Sequence, residues 1–562
     1  MPLKNFLKKL RLAESLFDLH EDAFKAKNYR NWAYQIEQLG DFAPEKADWS
    51  ALGFSASLLK RWQSFVETGS FPELDEVLEK TPEGILEMLA VKGLGAKKVR
   101  ILWKDAGITD LETLKNACEK GEIAKIKGFG EKTQTQILEN IQFKEAQTGF
   151  FRLDTTLQYG NYLLDRLKNF PDVQKADFCG TISRFLPVHE RVEILIATQN
   201  RKSVFEQLSK TEGISPAEKQ KSIFTWQGAF DDNHLPIFVH CSALENFESE
   251  LLYLSSAAGH LDFAGAKGDT LGKVILRERT LSQKEIYEKV GLPNLLPHLR
   301  EDKNFIGKAL LDRLPDMVEK QDLKGILHAH SLYSDGANTL RDMALACKNA
   351  GFSYLGITDH SQSAYYANGL KEHDIIRQHE EADRLNTELE GFRILKGIES
   401  DILSDGSLDY PDEVLARFDF VIASVHSALN MSEAKATERI INAVMNPYTN
   451  ILGHPTGRLL LKREGYPLDM HAVIDACAEF GTAIEINTNP HRLDLDWRYL
   501  HYALEKGVKI VLAPDAHNTQ DIEHYLYGVH IGKKAALSKN MCLNCLETDE
   551  ILKYFRMKKQ FA

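Results

Sequence analysis

GILHAHSLYSDG, residues 325–336, passes from a short apolar run straight into His328, His330 and Asp335. An apolar run of strand length that ends in metal-type side chains is unusual, and the pattern recurs downstream. The runs are YLGITDH (354–360), RILKGIE (393–399), FVIASVH (420–426), NILGH (450–454), AIEINTN (483–489) and KIVLAPDAH (509–517). Helical patterns separate them at intervals of about 30 residues, the spacing of βαβ units, and seven such units predict a closed or nearly closed parallel barrel. In such barrels functional side chains gather at the carboxyl ends of the strands. Those ends carry His328, His330, His360, Glu399, His426, His454, Asp515 and His517, with Asp335 just beyond the first. Packing has no use for histidine at strand end after strand end, whereas imidazole and carboxylate are the donors that suit manganese, zinc and iron. Nine donors exceed the needs of one ion, so two or three divalent ions are expected, manganese first and zinc or iron as alternatives. Glu399 is the best candidate to bridge two of them. Asp359, Asp401, Asp405 and Glu485 lie near the same ends and are expected in supporting or surface roles.

Upstream, the chain divides by pattern. Residues 1–150 read as short helices broken by glycine turns, as in Phe6–Phe17 and Ile85–Leu89. Residues 151–318 mix strand-like runs, Val192–Ala197 and Pro236–Val239, with amphipathic stretches such as Leu157–Leu167, which predicts an α+β region. The charged stretch Leu299–Asp302 and one more helical segment lead into the barrel, residues 319–562. A chain of 562 residues with 43% apolar and 27% charged residues reads as multidomain and globular. It shows no membrane-spanning run and no secretion signal, so a cytoplasmic protein is expected. Seven scattered cysteines suggest no disulfide framework, and Cys542 and Cys545 lack the second pair of a zinc site. The net charge of −12 argues against indiscriminate coating of nucleic acid. Lys92, Lys97, Lys98, Arg100 and Lys104 nevertheless form an acid-free basic cluster.

Taken together, GILHAHSLYSDG, GITDHS, GIESDILSDGSLDYPDEV, ASVHSAL, GHPTGRLL, EINTNPHRLDL and PDAHN resemble the polymerase and histidinol phosphatase (PHP) domain, in the version fused to bacterial family X DNA polymerases. All nine ligand positions match; Ile326 departs where the family often has an acid, at a position that is not a ligand. The resemblance implies metal-dependent hydrolysis of phosphate esters, typically a 3′-to-5′ exonuclease in the polymerase-fused proteins. Clustered divalent ions activate water and neutralise phosphoryl oxygens, so the donor set suits that chemistry. Arg458 and Arg492, close after strand ends, are candidates to clamp the substrate phosphate.

Two turns in the first region, VKGLGAKKV (91–99) and IKGFGEKTQ (126–134), resemble helix-hairpin-helix motifs. Their expected DNA-phosphate contacts are Lys92, Gly93, Gly95, Lys97 and Lys98 in one, and Lys127, Gly128, Gly130 and Lys132 in the other. Binding of that kind is independent of sequence, and gapped DNA or 3′ ends are the expected partners. LGFSASLLKRWQSFVETGSF (52–71) stands where the family has another hairpin but lacks the paired glycines. EIYEKVGLPNLLPHLREDK (285–303) resembles the end of the polymerase region. In the polymerase palm the family has two aspartates one residue apart on a strand and a third on a neighbouring strand. Aligning CGTISRFLPVHERVEILIA (179–197) and LPIFVHCSALENF (235–247) puts Arg191, Glu193 and Phe238 in those places. LYLSSAAGH (252–260) stands where a nucleotide-contacting turn is expected. The sequence therefore reads as an exonuclease barrel behind a polymerase-like region without polymerase chemistry. A small-molecule phosphatase and a non-catalytic DNA-end scaffold are the competing readings.

Overall fold

A computed structural model of the chain describes residues 2–37, 54–265, 268–301, 303–311 and 313–559. Leu52 and Gly53 of the 52–71 segment, and Asp302 at the end of the charged stretch, lie outside the described residues. The chain forms two compact units, Met1–Thr148 and Gly149–Ala562. Among the described residues no helix is long and apolar enough to cross a membrane.

The first unit is helical. Phe6, Leu10, Ala13 and Phe17 recur at helical spacing and are buried on one side of helix Pro2–Leu19. The segment without paired glycines forms helix Ala56–Thr68, capped by Ser55 and ended by Gly69 in the left-handed region. Two glycine-turn hairpins follow. Helix Glu83–Leu89 turns through Gly93 and Gly95 into Ala96–Arg100, and Leu111–Glu119 turns through a 3-10 segment, Gly128 and Gly130 into Glu131–Gln147.

The second unit contains a five-stranded mixed sheet followed by the barrel. Val192–Ala197 pairs antiparallel with Lys175–Phe178 and parallel with Pro236–Ser242; the sheet continues antiparallel through Thr225–Phe230 to Ile214–Pro216. Helix Leu153–Lys168 buries Leu163, Leu164 and Leu167 against this sheet. Rings from three segments join the mixed-sheet region to the barrel. Phe185, which follows the short helix Gly180–Ser183, stacks on His530 with centroids 3.6 Å apart and on His298 at 4.7 Å.

Seven parallel strands make the barrel, neighbours in space in chain order: Gly325–Leu327, Tyr354–Ile357, Arg393–Asp401, Phe420–Ser424, Thr449–Leu452, Ala483–Asn487 and Ile510–Ala513. Every expected run thus supplies a strand. The interior is filled by Leu327, Leu395, Phe420, Ile451 and Val511, with Ile551 and Phe555 from the C-terminal helix. Phe420 occupies the space beside Gly356 and Gly397, where any Cβ would come within about 2.6 Å of its ring. First and last strands share no continuous ladder. Ala329 and Ala516 form a single parallel bridge toward the ligand-bearing ends. Deeper, the buried side chain of Asn544 donates to Gly325 O and Leu512 O at 3.0 Å each and accepts from Leu512 N at 2.8 Å. An amide side chain thereby fills the place of a backbone partner. The seven cysteines are free thiols, and Cys542 and Cys545 flank the turn that holds Asn544.

Candidate metal centre

The nine residues converge around Glu399, which lies in the long third strand and is almost wholly buried. Its Oε1 lies 3.0 Å from His454 Nε2 and 3.3 Å from both His328 Nε2 and His426 Nε2. Its Oε2 faces His360 Nδ1 at 3.0 Å and His330 Nε2 at 3.6 Å. Each carboxylate oxygen therefore looks onto a different set of imidazoles, the arrangement a bridging carboxylate requires. Asp515 Oδ1 approaches His330 Nε2 at 3.1 Å and His328 Nε2 at 3.5 Å. Asp335 Oδ1 lies 3.4 Å from His517 Nε2 and 3.7 Å from His360 Nε2.

Three groups of side chains bring donor atoms close enough to share a cation: His330, Asp335, His360 and His517; His328, His330 and Asp515; and His360, Glu399 and His426. Glu399 Oε2, His328 Nε2, His330 Nδ1 and His360 Nδ1 are buried and make no hydrogen bond. Buried polar atoms are normally satisfied, so this cluster fits divalent ions in both donor chemistry and unmet valence. Local backbone strain accompanies it. His328 and Asp515 sit at φ 69° and 53°, in the left-handed region that non-glycine residues rarely adopt.

The electrostatics agree. Burial drives the His330 imidazole down to about 3. His426 is equally buried, yet Glu399 and Asp401 carry it against that burial up to about 10. His517 rises against its burial to about 9 through Asp335 and Asp515. The carboxylates thus favour the protonated form of His426 and His517, and a cation bound among them would displace those protons.

A second layer orients the donors. Glu485 accepts from His328 Nδ1 at 2.6 Å and from the His454 backbone N–H at 3.1 Å, and Asp401 accepts from His426 Nδ1 at 2.6 Å. These bonds fix tautomer and ring orientation. Asp359 instead organises the turn before Asp335, accepting from Ser331 N, the Ser331 and Ser334 hydroxyls, and Gln378. Asp405 is a surface residue that closes its own turn with Ser407. Sequence reasoning missed Asn487, whose Nδ2 donates to Asp515 Oδ2 at 3.0 Å. Its position two residues after Glu485, hence on the same face of the strand, was the available signal.

The two arginines part company. Arg492 stands with Nε 3.7 Å from Asp515 Oδ2, beside the centre. Arg458 uses its guanidinium within the protein: it pairs with Asp496 and donates to the backbone carbonyls of Arg492, at 3.0 Å, and Leu493. It is the brace of the loop that carries Arg492, so the expected pair of phosphate clamps reduces to one candidate and its support.

Both glycine hairpins share one geometry. Gly93 and Gly128 adopt φ 86° and 95°, and nothing lies within 4 Å of a Cβ built on Gly93, Gly95, Gly128 or Gly130, so their backbone is open to approach. Asn140 donates to Lys92 O at 2.8 Å and ties the second hairpin's long helix to the first turn. Lys92, Lys97, Lys127 and Lys132 are exposed and, among the described residues, have no carboxylate partner; Lys98 reaches Gly93 O at 3.3 Å.

Comparison with known proteins places these features together. The chain is 32% identical over 546 residues to the DNA polymerase/3′-5′ exonuclease PolX of Bacillus subtilis (strain 168), covering 94% of this chain and 95% of that protein. The chain belongs to the PolX family. Residues 327–489 of this PolX-family chain match the PHP domain, and residues 85–142 match the SAM-like helix-hairpin-helix tandem. A probable phosphatase of Thermoanaerobacter sp. (strain X514) is 30% identical over 250 residues, 42% of this chain and 94% of its own length. A probable phosphatase of Acetivibrio thermocellus is 32% identical over 207 residues, 35% of this chain and 81% of its own length.

Proposed function

We propose that this PolX-family chain removes nucleotides from DNA 3′ ends by metal-dependent hydrolysis, in the service of DNA repair, and that its polymerase-like region no longer polymerises. The observation that carries the reading is the buried Glu399 carboxylate, one oxygen facing His328, His426 and His454 and the other His360, on a chain that also bears two open glycine hairpins. Two or three divalent ions, manganese first, would be held by the nine donors and, when bound, would supply Lewis acidity and an activated water. Arg492 meets the phosphate. The hairpins hold DNA by its backbone whatever its sequence, favouring gapped DNA or 3′ ends. In this reading residues 1–150 grip DNA, residues 151–318 position its end, and residues 319–562 cut.

The second reading, hydrolysis of a small phosphate monoester, is favoured by the probable phosphatases that match only part of the chain. One assay separates them. Purified protein with manganese is given a 3′-recessed labelled primer-template, with and without deoxynucleotides, and in parallel a panel of small monoesters. Stepwise primer shortening supports the proposal; monoester turnover with an untouched primer supports the phosphatase.

A further inference from the structure

The loop from His360 to Leu370 follows the second barrel strand and is held with little freedom. Leu370 N donates to His360 O at 2.8 Å, Ser361 N to Glu399 O at 3.0 Å and Gly369 N to Ala364 O at 3.0 Å. Ser363 donates from its backbone to Asp409 at 2.6 Å and from its hydroxyl to Asp401 at 2.9 Å, the same Asp401 that orients His426. Ala364, Ala367 and Leu370 are fully buried, and a Cβ on Gly369 would lie 1.8 Å from Ser361 O, so the loop closes on itself tightly.

On this fixed support Tyr365 and Tyr366 point outward. Tyr365 is 85% exposed and Tyr366 69%, and among the described residues no large hydrophobic side chain is more exposed than Tyr365. Neither phenol makes a hydrogen bond among the described residues, yet the Tyr366 ring centroid is 6.2 Å from that of the metal-ligand candidate His360. Two largely exposed rings on a loop anchored by buried residues add little apolar burial to the fold. Beside a centre that cleaves phosphate esters they offer flat faces at little further entropic cost.

We infer that Tyr365 and Tyr366 are a stacking platform for the bases at the 3′ end, holding the terminal nucleotide so that its phosphate reaches the centre. Stacking is indifferent to base identity, as removal of successive nucleotides demands. The inference rests on the proposed exonuclease reading.

The test uses the full chain with manganese and three substrates: an oligonucleotide with a natural 3′ residue, the same oligonucleotide with an abasic 3′ pair, and bis(p-nitrophenyl) phosphate. Replacing both tyrosines by alanine is expected to raise KM for the natural end about ten- to a hundredfold. KM for the abasic end should stay at its wild-type value. Tyr365→Phe with Tyr366→Phe keeps the rings and should behave as wild type, which separates stacking from a damaged loop. An unchanged KM in the double alanine variant, or an equal loss on the abasic end, overturns the platform alone. A wild-type chain that leaves both oligonucleotides intact while hydrolysing the small diester removes the exonuclease reading, and this inference with it.

Discussion

Phe238 stands directly beside Glu193 in the parallel register of the two central palm strands. The alignment that assigns Phe238 to the third position of the carboxylate triad is compatible with this register, and in the proposed reading that position holds a phenyl ring. Arg191, which the same alignment assigns to the first position, has its guanidinium 4.8 Å over that ring and its Nε 3.4 Å from Glu193 Oε1. Against its burial, Glu193 is held below the usual carboxylate range by His240 and Arg191.

No primer extension is expected under any divalent metal. A unit charge about 4 Å from Arg191 is repelled by roughly 4 kcal/mol at an effective dielectric near 20, and a divalent ion by twice that. Template-directed extension by the wild type that disappears in Glu193→Ala would refute this.

His360→Ala and Asp515→Ala are each expected to abolish nuclease activity and lower the bound metal measured by elemental analysis, with DNA affinity in gel shifts nearly unchanged. Asp401→Asn and Glu485→Gln leave every ligand in place but remove the charge that orients His426 and His328. They should cost about ten- to a hundredfold in metal affinity or rate. Wild-type activity in both ligand variants, in protein freed of contaminating nucleases, would sink the metal assignment.

Neutralising Lys92, Lys97 and Lys98 together should weaken DNA binding whatever the sequence. It should flatten the plot of log affinity against log salt by up to about 0.9 per lost phosphate contact. Because Lys98 already reaches Gly93 O, its share should be the smallest. Hydrolysis of a small phosphodiester should hardly move. A salt slope equal to that of the wild type means that this turn does not meet DNA.

Arg492→Ala and Arg458→Ala are expected to fail differently. Loss of Arg492 should raise KM for phosphodiesters without lowering the melting temperature. Loss of Arg458 leaves two backbone carbonyls without their donor and weakens the hold on Asp496, which Arg498 still contacts at 2.8 Å. That should destabilise the protein by on the order of 3 kcal/mol, read by denaturant titration, and disturb catalysis as a consequence. Identical stability in the two variants would remove the distinction.

The contrast between these arginines shows where sequence reading stops. The strands, and the gathering of imidazoles and carboxylates at their ends, were legible because most of the apolar runs finish in such side chains, a relation confined to a few neighbouring residues. Glu193 and Phe238 could likewise be placed by local alignment. Arg458 could not, since its partners Asp496 and Leu493 lie more than thirty residues away on a loop whose path no periodicity encodes. Asn487 escaped for a related reason: asparagine is common in loops, and its role appears only when Asp515 is brought opposite. The tyrosines of 365–366 read as ordinary loop residues until their exposure is known.

The Asn544 amide between Gly325 and Leu512 makes the barrel a ring with a joint. Elsewhere neighbouring strands pair directly through backbone ladders, with one register shift between Val421 and Ile422; here one side chain and the Ala329–Ala516 bridge hold two ends far apart in sequence. His328 and His330 lie on one side of the joint, Asp515 and His517 on the other, so an ion held from both sides would also fasten it. Local breathing should begin at this seam. Chelation should then speed hydrogen–deuterium exchange first at the amides of His330, Leu512 and Ala516, well before the helices around the ring respond.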